Sequence, residues 1–168
     1  MDLYTALVIT HIVGTVLGVG GATFVEFHLV RALRDGVVSP EESALMQTTY
    51  SVLRVGFFML IMSGFGFLIL ARLSENVAWF YSVKFWIKLS IVGIIAANAA
   101  FIQLRWIPIL WGSAIALVSW YAALVLGVLR GGEYSPYWIL GLYVVAIIIV
   151  YVVLREVHRR FIPKGHTP

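Results

Sequence analysis

The chain has no cysteine among its 168 residues. That removes disulfides, thiolate metal sites and thiol redox chemistry, and it leaves the compartment open. Charge is also scarce, at 12% of residues against 61% hydrophobic. So little polar surface cannot cover so much apolar surface in one small soluble domain, and the composition predicts an integral membrane protein. There are five prolines, and none falls in the middle of an apolar run. No polar stretch is long enough to form a separate soluble domain.

Five apolar stretches are long enough to cross a hydrocarbon layer of roughly 30 Å, which needs about 20 residues. They are Leu3 to Val30, Val52 to Ala71, Trp79 to Leu104, Ile107 to Leu129 and Tyr137 to Leu154. The prediction is an all-α bundle of five transmembrane helices forming a single domain over residues 1–168. The first stretch has no basic leader and no small-residue cleavage site, so it reads as a retained span. Arg31, Arg34, Arg105, Arg155, Arg159, Arg160 and Lys164 fall on one side of such a bundle, and only Arg72 and Arg130 on the other. The positive-inside rule then predicts the amino terminus outside and the carboxy terminus inside, in a bacterial or archaeal cytoplasmic membrane. The basic tail suits an anionic leaflet better than nucleic acid.

The breaks between spans carry turn and cap signals. Asp35-Gly36 supplies a turn, Ser39 an N-cap, Pro40 a first helical position, and Glu41 and Glu42 acids in the first turn. Residues Pro40 to Arg54 should therefore extend the second span as helix. Pro108 and Ser135-Pro136 repeat the helix-start signal, and the short connections predict antiparallel neighbours. Trp79, Tyr81, Tyr134, Tyr137 and Trp138 would form one interfacial belt, with Trp106 and Trp111 near the other interface.

Ionisable groups inside these spans are the features that point to function, since each costs roughly 2.5 to 3.5 kcal/mol on insertion scales. At about 100° per residue, His11, Thr15, Gly18, Ala22 and Glu26 share one face of the first span. Gly14-x-x-x-Gly18 would let a helix or a planar ligand approach the backbone closely. His11 could hydrogen-bond a neighbouring helix or serve as a metal or haem ligand. Lys84 can snorkel to the interface, whereas Lys88 lies deeper and needs a partner or a polar cavity. Glu26 and Arg54 match in depth, which predicts an interhelical ion pair, joined by His28. Asn98 could complete that polar cluster. Arg72 and Arg130 could hold the propionates of a haem near His11 or act as plain interface anchors. Gly56, Ser63, Gly64, Gly66 and Gly93 suit close helix packing.

The run from Thr10 to Gly21, with His11 ahead of Gly20-Gly21, resembles the first span of copper-resistance D-type membrane proteins and of HemJ-type protoporphyrinogen oxidases. The run from Lys84 to Val92, followed by Asn98, resembles the lysine-bearing span of the same groups. The resemblance implies a helical bundle in which His11 and Lys88, from separate spans, face one site that holds haem b. Met1, Met46, Met59 and Met62 form no ligand ladder suited to copper transport.

Three expectations follow. The first is a small membrane redox or cofactor-binding protein, conceivably a haem-dependent oxidoreductase, with His11 as ligand to haem b and Lys88 as second ligand or polar partner. The second is a transporter or channel subunit for protons, a metal cation or a small solute, in which Glu26, Arg54, His28 and Asn98 form one gate and His11 and Lys88 the other; a pore would call for a homo-oligomer. The third is a structural or assembly subunit of a membrane complex.

Overall fold

A computed structural model describes residues 2–34, 39–75, 81–129 and 135–161. Among these the regular structure is helical: α1 (Leu3–Arg34), α2 (Pro40–Leu73), α3 (Val83–Gln103), α4 (Ile109–Val128) and α5 (Pro136–Phe161). All five are long and apolar enough to cross a membrane, and large apolar side chains cover the periphery. In water such a surface would be untenable, so its natural solvent is lipid.

Local sequence sets the helix boundaries. Ser39 caps α2 by accepting from the Glu42 backbone N–H at 3.2 Å, and Glu42 accepts from the Ser39 N–H at 3.1 Å. This reciprocal box starts α2 at Pro40, as the cap signals predict. The third helix begins later than the apolar run, at Val83, because the Ser82 hydroxyl accepts from the Phe85 N–H at 3.2 Å. Trp79 lies outside the described residues. Arg105, at φ 58, turns the chain between α3 and α4.

Three antiparallel contacts organise the bundle. Between α1 and α2, a Cβ on Gly14 would lie 2.8 Å from the Gly56 carbonyl oxygen, and one on Gly56 would lie 2.8 Å from that of Gly14. No larger residue fits either position, so the two backbones touch as in other small-residue membrane contacts. The Asn98 side chain bonds α3 to α4, and the Ser119–Tyr143 pair bonds α4 to α5. Helix α4 forms the hub, packing against α1, α3 and α5. Among the described residues the α2 backbone neighbours only α1. Phe57 reaches across from α2 to set its ring edge-on to Trp120, with centroids 6.1 Å apart.

Trp120 is 1% exposed at the centre, with Ala22, Leu60, Ile91, Ile95 and Leu126 around it. Its indole lies against Gly18, where a Cβ would stand 2.0 Å from the ring. Polar groups collect on either side of this apolar plug: one set toward the start of α1, the other toward the end of α5.

Candidate functional site

Toward the start of α1, the His11 Nδ1 lies 2.9 Å from the Ser63 Oγ of α2. The Ser63 hydroxyl has a carbonyl to receive its own proton, that of Met59 at 2.7 Å, so Oγ accepts from the imidazole. His11 is then the Nδ1–H tautomer, with a lone pair on Nε2. That nitrogen makes no hydrogen bond among the described residues. The Phe67 ring packs edge-on, with centroids 5.6 Å apart. Lys88, half-buried on α3, is close enough for its charge to act on the imidazole, and its ammonium has no hydrogen-bond partner among the described residues. Lys84 donates to the Leu129 carbonyl at the end of α4, where the helix dipole favours a cation.

The surroundings differ from those expected for a planar cofactor shared by His11 and Lys88. Gly14 is taken up by the backbone of α2 and Gly18 by the indole of Trp120. The shared stripe of α1 does not serve one ligand: it meets α2 at His11, α4 at Gly18, and α4 and α5 at Glu26. Arg72 is exposed in the last turn of α2, and Arg130 lies outside the described residues. The imidazole tautomer suits a metal-ligand role, whereas the glycine face has no room for a macrocycle.

Toward the end of α5 the expected Glu26–Arg54 ion pair does not form. Arg54 is exposed on α2, and the ion pairs among the described residues join Arg31 to Glu42 and Glu156 to Arg159 and Arg160. The reason is rotational: Glu26 turns inward, away from the lipid-facing side of α2. His28, half-buried, stacks on Phe24 at 6.5 Å and does not join the carboxylate.

Other partners surround Glu26. Ser113 of α4 and His158 of α5 both lie close enough to act on its carboxylate. Tyr50 of α2 is close enough to feel the same carboxylate. On the neighbouring turn, Asn98 Nδ2 donates to the Gly112 carbonyl at 2.9 Å. His158 Nδ1 lies 2.8 Å from the Leu154 carbonyl, so it carries the proton and leaves Nε2 as an acceptor.

Glu26, Asn98 and His158 are 9%, 4% and 8% exposed. Each holds a buried atom without a hydrogen-bond partner among the described residues: Glu26 Oε2, Asn98 Oδ1 and His158 Nε2. With Glu26 ionised, all of these are acceptors. Buried polar groups ordinarily find partners, so acceptors of one kind gathered at one end of a bundle mark a place for something that donates or is positively charged.

Among the described residues no group of three or more His, Asp or Glu side chains could hold a metal ion. Sequence reading overlooked His158 because it sits in a basic tail that reads as an interfacial anchor. A helical stripe was nevertheless available: Tyr143, Ile147, Tyr151 and Leu154 face the bundle, and the next turn falls on His158. Ser113 carried no comparable signal. No protein-family model matches the chain, nor does any curated protein or solved structure.

Proposed function

We propose that this chain is a transporter or channel subunit for a small cation, the proton included, with its binding station at Glu26, Ser113, Asn98 and His158. The observation that supports this reading is the trio of buried acceptors without donors. Ionisable residues facing the interior of a membrane bundle are expensive, and they characteristically line ion paths. The station recruits α1, α3, α4 and α5 together, which a packing contact between two helices does not require. If the basic side is the inner one, the station lies nearer the cytoplasm, with His11 and Lys88 toward the opposite end.

Flux into proteoliposomes tests the reading, with tracer sodium or potassium and a pH-sensitive dye as separate measurements. Flux above that of empty vesicles, lost in Glu26→Gln, is the expected result. Absence of every flux, or flux indifferent to Glu26→Gln, removes it.

A second reading, cofactor binding at His11 with haem b as the group, is favoured by the free Nε2 lone pair beside Lys88. The closed glycine face opposes it. An absorption spectrum after expression with haem supplied decides: a Soret band lost in His11→Ala supports this reading, and no band ends it.

A further inference from the structure

Resting on the transport reading, we infer that the species bound at this station is the proton, held in turn by Glu26 and His158. The donor set selects among cations. An alkali or alkaline-earth ion in a protein site takes about six or more oxygens. The side chains here supply a carboxylate, one hydroxyl and one amide oxygen, with an imidazole nitrogen completing the set. A transition metal needs about three or four protein ligands of the nitrogen, sulfur or carboxylate kind, and no such group occurs among the described residues. A proton needs only a lone pair at each stop.

Glu26 Oε2 and His158 Nε2 are both unpartnered and buried, yet they do not bond each other directly. His158 reaches Glu26 electrostatically from α5, a helix in contact with α1, and one water between two such acceptors would donate to both, a buried water ordinarily making about three hydrogen bonds. The transfer then balances without a further reactant. A hydronium gives its proton to the carboxylate, leaving the carboxylic acid and water. The O–H bond at Oε2 next breaks as its proton passes to the bridging water, while that water gives a proton to Nε2 and a new N–H bond forms. The products are carboxylate and imidazolium, and no electron moves.

Among the described residues few groups approach the pair. Tyr50 approaches Glu26 from α2, α4 contributes the uncharged Ser113, and the α3 backbone does not pack against α1. On α5 itself, Arg159 and Arg160 are paired with Glu156, and Arg155 is exposed. Among the described residues no fixed cation is thus bonded to the carboxylate, which leaves it free to take a proton.

The test measures proton uptake by proteoliposomes of the full chain under an imposed pH gradient with the membrane potential clamped, beside tracer sodium and potassium. Proton flux without alkali-ion flux is expected. Glu26→Gln and His158→Gln should each lower it by roughly a hundredfold, the lower end of what a positioned proton-transfer group supplies, and Glu26→Asp should restore part of it. Alkali-ion flux without proton flux overturns the inference and leaves transport standing, whereas absence of both overturns transport as well. Proton flux that survives Glu26→Gln overturns both the inference and the transport reading, whereas proton flux lost in Glu26→Gln but unchanged in His158→Gln overturns the inference alone. Infrared difference spectra of the unaltered protein, together with nitrogen-15 spectra of its histidines, do not depend on a variant folding. Proton loading should bring up a buried carboxylic C=O band and an imidazolium signal, and absence of both overturns the inference.

Discussion

The two polar ends of the bundle differ in how their donors and acceptors balance. Near the start of α1 one of each is left over among the described residues, the Lys88 ammonium and the His11 Nε2 lone pair, while the His11 Nδ1–H is accepted by a serine that itself donates to a backbone carbonyl. Near the end of α5 the surplus is of acceptors, on Glu26, Asn98 and His158. His11 and Glu26 are separated by about 22 Å along α1 at 1.5 Å per residue. A polar group satisfied by its neighbours holds helices together, whereas one left unsatisfied retains capacity to bind. On that distinction, the Ser63–His11 contact is chiefly structural and the Glu26 station chiefly functional.

What keeps the ends apart is Trp120, so its removal should have the largest effect. Trp120→Ala leaves a cavity between Gly18 and Phe57 and should cost about 3 to 5 kcal/mol, as large-to-small changes of a buried tryptophan do. Reversible unfolding in mixed micelles measures that loss. The same variant should raise passive proton leak, because the cavity lies between the two polar sets. An unfolding midpoint close to that of the unaltered chain would show that the indole is not the partition.

The partition also marks the limit of what sequence could reveal. Five spans, the Ser39-Pro40 start of α2 and the close approach at Gly14 follow from composition, cap chemistry and residue size, all local properties. The inward placement of Glu26 follows from helical periodicity. Partner choice does not: Glu26 and Arg54 agree in depth, but whether their side chains meet depends on how each helix is rotated about its axis. Wheel geometry places Gly18 and His11 on one face without showing that an indole from α4 occupies the space between α1 and the rest of the bundle. Long-range packing fixes such rotations, and it is not encoded at a spacing of three or four residues.

A smaller effect separates a satisfied contact from an unsatisfied one. Ser63→Ala removes the acceptor of the His11 N–H and should destabilise by about 0.6 to 1.7 kcal/mol, the range of interhelical hydrogen bonds in membranes. Asn98→Leu should cost less, since it deletes the unpartnered Oδ1 along with the bond to Gly112 and replaces both with apolar volume. Unfolding midpoints of the two variants, taken in one detergent mixture, check the order. If Asn98→Leu proves the more damaging, Asn98 is a structural bridge and does not belong with the binding station.

The smallest effect belongs to the charges that pair in the open. Arg31 meets Glu42 at 3.6 Å with its side chain 78% exposed, and such a pair contributes between about zero and 1 kcal/mol because water and salt screen it. Arg31→Ala should thus lie near the low end of that range, whereas Ser39→Ala, which removes the N-cap bond to Glu42, should cost about 1 kcal/mol. Both variants sit at the same helical hairpin, so their difference isolates the cap from the ion pair, and raising the salt concentration should move neither by much. A large salt-sensitive loss in Arg31→Ala would mean that surface charge holds the hairpin. It would then also weaken the inference that the charge with most consequence in this chain is the buried carboxylate of Glu26, five residues earlier on the same helix.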